Sequence, residues 1–233
     1  MPKHGKKYRN AIEGLQADAV WSVSGALDEV KEKSFAKFDE SVDVDINLGI
    51  DASKGDQTVR GSVVLPHGRG GTTRVIVFAK GDHAEEAQKA GADVVGTDDL
   101  AAKIKGGWLE FDYAVATPDV MGLVGGLAKI LGPRGLLPNK KVGTVTFDVA
   151  TVVKELKKGK AFFRNDKAGI VHFCFGKVSF DAEKLQQNLA AFVKALSAAK
   201  PPSSKGKFLK KMSVSSTMGP GFSVNPDELL GSA

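Results

Sequence analysis

The hydrophobic rhythm of this chain changes twice, and those two changes restrict its fold more than any other feature. Along residues 42–48 the pattern alternates strictly: Val42, Val44, Ile46 and Leu48 fall on one face, Asp43, Asp45 and Asn47 on the other. A period of two marks a strand with one face on a core and one in water, the habit of antiparallel sheets. Over residues 74–158 the rhythm differs. Residues 75–79 and 113–116 are continuous apolar runs and 92–95 a short, mainly apolar one broken by Asp93, separated by helical stretches at 82–90, 98–105 and 118–131. Runs of that kind predict strands covered on both faces, alternating with helices in a parallel sheet. Asp98 is placed to cap the second helix and Pro118 to sit in the first turn of the third. A strand at 145–147 and a helix at 149–158 complete this stretch. After Gly159 the alternation returns, with Val171, Phe173 and Phe175 on one face. Asp181 is placed to cap a long helix striped by Leu185, Leu189, Phe192, Val193 and Leu196.

Two stretches of one antiparallel style thus flank a unit of another. The expected fold is mixed α+β and α/β in two domains. A split α+β domain, residues 1–66 plus 159–233, carries an antiparallel sheet with helices, and a Rossmann-like α/β domain with a parallel sheet, residues 67–158, is inserted into it. Insertions of this type fit because domain termini lie close together at the surface. The joints fall near Pro66-His67-Gly68 and Lys158-Gly159, where two chain crossings would form a hinge. Within the split domain, Val59, Gly61, Val63 and Leu65 predict a second strand, joined to the first in a long-looped hairpin around the polar cluster 51–56. A last strand is expected at 207–217, after Pro201-Pro202 ends the long helix.

Charge points to the partner. The chain carries 33 Lys+Arg against 27 Asp+Glu, a net of +6. Residues 154–211 hold fourteen of those bases and only four acids, so one segment carries more than the whole excess. A polyanion is the first partner to suspect. The lone cysteine, Cys174, cannot form an internal disulfide, which favours a reducing compartment. No stretch approaches the ~20 apolar residues of a membrane helix, and the N-terminal residues have no apolar signal core. The expectation is a soluble cytoplasmic protein with no membrane partner.

Catalytic signals are thin. His4, His67, His83 and His172 are scattered, and no Cys/His pair has metal-ligand spacing, so neither a metal nor another cofactor is expected. There is no GxSxG elbow and no Walker sequence. Gly68-Arg69-Gly70-Gly71 leads into a strand, not a helix, and Gly122, Gly125 and Gly126 lie inside a helical stretch, so packing and hinge roles are the simpler reading. Asp43 and Asp45 read as a solvated strand face. The rival to a binding protein is a nucleotide-binding enzyme or sensor that uses the central α/β domain; a DNA-binding architectural protein is a third possibility.

The polyanion signal is focused in three places: Lys37, Phe38 and Ser41 ahead of the first strand; Arg164 and Lys167 around a turn; and Ser216, Thr217, Met218 and Gly219 after Lys210-Lys211. Hydroxyls suit phosphates and ribose 2′-OH groups, glycine permits close approach, and Phe38 or Met218 can lie against a sugar or base. The stiff loop Gly132-Pro133-Arg134-Gly135-Leu136-Leu137-Pro138-Asn139-Lys140-Lys141 offers Arg134, Lys140 and Lys141 as a secondary RNA contact.

Several strings carry a resemblance: Lys37-Phe38-Asp39-Glu40-Ser41-Val42, Asp56-Gln57-Thr58-Val59-Arg60-Gly61, Leu65-Pro66-His67-Gly68, Ala116-Thr117-Pro118-Asp119-Val120-Met121-Gly122, the GPRGLLPN of the basic loop, Phe163-Arg164-Asn165-Asp166-Lys167 and Thr217-Met218-Gly219-Pro220. Nearly end to end, the chain resembles the bacterial large-subunit ribosomal protein L1 family. The resemblance implies a two-domain hinged fold and no enzyme activity. It implies that the split domain grips a stem–loop of large-subunit rRNA, at the mobile stalk beside the tRNA exit site, and assists release of deacylated tRNA. It further implies binding to a similarly folded part of its own operon mRNA, repressing translation. Carried over, Lys37, Phe38, Ser41, Arg164, Lys167, Thr217, Met218 and Gly219 form the main RNA surface, and the inserted domain contacts further RNA or tRNA. Ser41 stands where family members often carry Thr, keeping the hydroxyl.

Overall fold

The computed structural model describes residues 5–15 and 19–230. His4 lies outside the described residues, and of Lys141 only the backbone is described. In chain order, the first elements are α1 (Lys6–Ile12), β1 (Val20–Trp21), α2 (Val23–Glu32), β2 (Ser41–Leu48) and β3 (Arg60–Val64). Next come β4 (Val75–Phe78), α3 (Asp82–Lys89), β5 (Val94–Gly96), α4 (Asp98–Lys105), β6 (Tyr113–Ala116), α5 (Met121–Gly125), α6 (Ala128–Leu131) and α7 (Val149–Lys157). The last are β7 (Lys160–Arg164), β8 (Ile170–Lys177), α8 (Ala182–Ala198), β9 (Leu209–Ser216), β10 (Gly221–Val224) and α9 (Asp227–Leu230). The chain divides into an outer unit, made of the residues up to Gly70 and from Phe162 onward, and an inner unit, Gly71–Ala161.

The outer unit is built on a five-stranded sheet of order β1-β10-β9-β2-β8. β2 is its middle: it pairs antiparallel with β8 on one side and β9 on the other. The alternation that identifies β2 in the sequence is its burial pattern, since Val42, Val44, Ile46 and Leu48 are buried and the residues between them half-buried. α8 packs against β8 and β3, and α2 against β9 and β10, so these two helices cover the face of the sheet that carries Val42, Val44, Ile46 and Leu48. Their apolar stripes are fully enclosed: Ala26, Leu27 and Val30 on α2, and Leu185, Leu189, Phe192, Val193 and Leu196 on α8. At the centre Phe192 stacks on Phe173 at 4.0 Å between centroids and meets Phe163 edge-on at 5.5 Å. The stripe also contains a buried polar residue. Asn188 donates to the carbonyls of Gly68 and Phe175 and accepts the His67 N–H, tying residues 67–68 to α8.

Three expectations need correction here. β2 and β3 do not form a hairpin: β3 pairs with β7 in a separate two-stranded ribbon, while both neighbours of β2 come from the C-terminal half. Alternation specifies which face a strand buries, not which strand it pairs with. The strand expected at 207–217 is not the last, because β10 turns back on β9 and pairs in parallel with β1. The N-terminal α1 and β1 gave no strong periodic signal; Trp21 is anchored edge-to-face on Phe222, at 5.7 Å. Asp181 occupies the cap position of α8, but its carboxylate pairs with Lys184 at 2.8 Å and accepts no backbone N–H.

In the inner unit, β5-β4-β6 form a parallel sheet, with β4 buried along its whole length. Ile76, Phe78, Leu100, Ile104, Phe111 and Leu127 are the body of its core. Asp98 is the first residue of α4, with Thr97 at the cap, so its carboxylate acts on the helix dipole instead of capping. The single helix expected at 118–131 is broken into a 3₁₀ turn at Pro118–Val120, α5 and α6. Gly122, Gly125 and Gly126 weaken its interior, as glycine does in any helix. The strand expected at 145–147 is reduced to one parallel bridge between Ala116 and Val145.

Candidate nucleic-acid interface

Two segments far apart in sequence meet at one end of β2. Residues 34–40 run from α2 into β2, and residues 217–220 turn from β9 to β10. Because β2 and β9 are antiparallel neighbours, Val42 lies opposite Ser216. One step further the edge is sewn together: Thr217 N–H donates to the Ser41 carbonyl, and Ser41 N–H donates to the Thr217 hydroxyl at 2.9 Å. Around this edge Phe38 is 58% exposed and Met218 51%, both large apolar side chains held in water. Lys37 is exposed as well.

The residue that builds this arrangement is Glu40, only 2% exposed. One carboxylate oxygen accepts the backbone N–H groups of Phe35 at 3.1 Å and Ala36 at 2.7 Å; the other accepts that of Met218 at 3.1 Å. Burial works to raise the Glu40 pKa, but hydrogen bonds from the Ser216 hydroxyl and from the Ala36, Met218 and Phe35 amides outweigh it and hold it below the usual carboxylate range. Ser216 in turn accepts the Gly219 N–H at 3.1 Å. A Cβ on Gly219 would come within 2.5 Å of that same Ser216 oxygen, so the turn needs glycine for close approach. Residue type alone does not mark Glu40, because an acid runs against the charge of a polyanion site. Its position between Phe38 and Ser41 was the available signal.

The hydroxyls serve differently from the expectation. Ser216 is buried and bonded inward, Thr217 bonds the Ser41 backbone, and the Ser41 hydroxyl accepts from Lys177 at 2.8 Å. They are struts of the edge. The groups left to face a ligand are Phe38, Met218, Lys37 and Lys177, which also reaches the Asp39 carbonyl. Lys177 escaped the sequence reading because only its pairing opposite Ser41 brings it here.

Arg164 and Lys167 are exposed but sit at the far end of the sheet. Their turn returns to Leu48, whose N–H donates to the Gly169 carbonyl, and Asn47 pairs with Ile170. Six strand residues separate that end from Ser41, about 20 Å at the usual strand rise. The turn is rigid: Asp166 accepts the Ala168 and Ile170 amides, and Asn165 accepts Val59 N–H while donating to the Asp166 carbonyl. Between the two ends the face of the sheet opposite α2 and α8 holds a groove of about 350 Å³ lined by Asp43, Asp45, His172, Cys174, Ser215 and Thr217. His172 Nδ1 lies 2.5 Å from Asp45, and its Nε2 is 3.7 Å from Asp166. The hydrogen bond to Asp45 raises the imidazole pKa against a lowering by burial, with the charges of Asp45 and Asp166 adding to the rise.

In the inner unit the basic loop is anchored by its apolar residues. Leu136 and Leu137 pack on the core, and Thr144 both accepts the Asn139 N–H and approaches its carbonyl. Arg134 and Lys140 are exposed. Among the described residues no cluster of His, Cys, Asp or Glu is arranged to hold a metal ion, and no helix is long and apolar enough to cross a membrane.

Fold and edge together define a two-unit α+β and α/β protein whose discontinuous outer unit carries a cationic, aromatic-tipped rim. The profile of the Ribosomal protein L1p/L10e family matches residues 30–220. The large ribosomal subunit protein uL1 of Nitratidesulfovibrio vulgaris strain Miyazaki F is 57% identical over 226 residues, covering 97% of this chain and 96% of that protein. The proteins of the same name from Maridesulfovibrio salexigens and Desulfotalea psychrophila are each 54% identical over the same shares. This chain belongs to the ribosomal protein L1p/L10e family.

Proposed function

We propose that the protein is a non-catalytic component of the large ribosomal subunit in the cytoplasm, and that its discontinuous domain, residues 1–66 plus 159–233, grips a folded stem–loop of large-subunit rRNA. The observation that carries this reading is the pair of exposed apolar side chains, Phe38 and Met218, fixed on one edge and flanked by Lys37 and Lys177. An RNA with splayed bases offers flat surfaces for the apolar pair and phosphates for the cations. Arg164 and Lys167, about 20 Å away along β2, engage backbone phosphates on the same RNA. Between them the groove residues Asp43 and Ser215, which are not among those struts, face ribose 2′-OH groups, which separates RNA from DNA.

The finer reading places the protein at the mobile stalk beside the tRNA exit site, where it assists release of deacylated tRNA through the inserted domain, residues 67–158, with Arg134, Lys140 and Lys141 as secondary contacts. The same outer surface binds a similarly folded segment of its own operon mRNA and represses its translation.

The test is footprinting and crosslinking on large-subunit rRNA prepared from Nitratidesulfovibrio vulgaris. One protected stem–loop, with crosslinks at residues 37–41 and 216–219, is the expected result. Crosslinks confined to residues 71–161 would overturn the reading.

A further inference from the structure

Among the groups that this RNA-binding reading leaves without a role, one buried charge stands between the two segments that form the rim. We infer that Glu40 is a positioning and selectivity-determining residue: it touches no RNA, but its carboxylate sets the spacing of Phe38 and Met218 and so the preference for one folded RNA over others. The inference rests on the reading above and adds to it.

The argument is geometric. Phe38 lies on a segment without helix or strand hydrogen bonding of its own, and Met218 lies on a tight turn. Neither segment fixes the other through covalent neighbours, since 178 positions separate Glu40 from Met218. The Glu40 side chain spans that gap, with one oxygen on the amides of Phe35 and Ala36 and the other on the amide of Met218. Ser216 extends the link to Gly219. Every partner is a donor, which an ionised carboxylate satisfies and an amide cannot. Hydrogen bonds to a buried charge are stronger and more directional than those between neutral groups.

Phosphate contacts supply salt-dependent affinity common to all RNA, whereas a fixed apolar pair discriminates by shape. Loosening the pair therefore lowers preference more than general affinity. Glu40→Gln keeps length and volume but presents an NH₂ group to one set of donors, loosening Phe38 against Met218 while the Ser41–Thr217 bonds stay in place.

The experiment uses the full chain and two probes: Nitratidesulfovibrio vulgaris large-subunit rRNA and polyadenylate. The parent protein must first prefer the rRNA; if it does not, the RNA-binding reading itself fails, a result separate from the fate of Glu40. Given that preference, Glu40→Gln is expected to cut the ratio of the two affinities about tenfold, with the salt slope for rRNA retained. In double-mutant cycles its effect couples to Met218→Ala and is additive with Arg164→Ala, which acts at the opposite end of β2. A global loss of structure would move both cycles alike. An unchanged ratio, or an effect additive with Met218→Ala, overturns the inference. Should Glu40→Gln fail to fold, Glu40→Asp, which keeps the charge but shortens the reach to the amides of Phe35, Ala36 and Met218, carries the same test: a fall in the ratio that couples to Met218→Ala supports it, and an unchanged ratio overturns it.

Discussion

Glu40 accepts the amide N–H of Met218 at 3.1 Å across 178 positions of sequence, and through that bond the two ends of the chain present one surface. Because Phe38 and Met218 themselves are half or more exposed, they contribute little to the core. Phe38→Ala and Met218→Ala should each weaken rRNA binding by about 1–3 kcal/mol, as removal of a base-contacting side chain does, while leaving the thermal midpoint within a degree or two. Filter binding beside a melting curve checks both halves; a Phe38→Ala protein that binds normally removes the ring from the interface.

Arg164 and Lys167 stand on a turn already locked by Asp166 and Asn165, so neutralising them does not disturb the fold. Each substitution to Ala should reduce the slope of log affinity against log salt by roughly one, with similar losses for all RNA sequences. Titrations at several salt concentrations measure it. A change in sequence preference without a change in slope would assign these residues to base reading instead.

The pair His172–Asp45 predicts a pH dependence of stability. The pKa of His172 is raised in the folded state, first by its hydrogen bond to Asp45, so the protonated ring contributes stability that is fully present below its unfolded value of about 6.5. That contribution disappears as pH rises through the folded value. Asp166, held below the ordinary carboxylate range chiefly by the Ile170 amide, stays charged through this window. The difference in thermal midpoint between the parent and His172→Gln should therefore be larger at about pH 6 than at about pH 8.5. A difference that is flat, or that grows with pH, contradicts this account.

Phe192 is fully buried between Phe173 and Phe163, at the point where α8 meets the sheet. Phe192→Ala leaves a cavity that the stacked ring of Phe173 cannot fill, and should cost about 3–5 kcal/mol. Urea unfolding followed by far-ultraviolet circular dichroism gives the value. A loss below about 1 kcal/mol would mean that the helix resettles on the sheet.

How much of this was legible in the sequence depends on whether a pattern is local. The faces of β2 and α8 and the parallel strands of the inner unit follow from short-range periodicity. The partners of β2 do not, because period two is silent about which strand lies alongside, and β8 and β9 are chosen by tertiary packing. Asn188 hides inside an apolar stripe, legible as core but not as the clasp on residues 67–68. At the candidate site, Phe38, Met218 and Lys37 can be named from residue type alone. Glu40 and Lys177 cannot, since what gives them meaning is the strand register that sets Ser41 beside Thr217 and Lys177. The hydroxyls of Ser41, Ser216 and Thr217 look like ligand groups in a string of letters, and only their hydrogen bonds turn them inward.

The central position of β2 has a consequence for synthesis. Its first partner begins at Ile170 and its second at Leu209, so a growing chain carries an unpaired middle strand while the inner unit, Gly71–Ala161, is made in one continuous stretch. Pairings this distant close late, because loop entropy must be met before they form. The rim is thus assembled only after β9 and the turn beyond it have emerged, so the segment that carries Phe38 waits, exposed, for a partner synthesised more than 170 positions later.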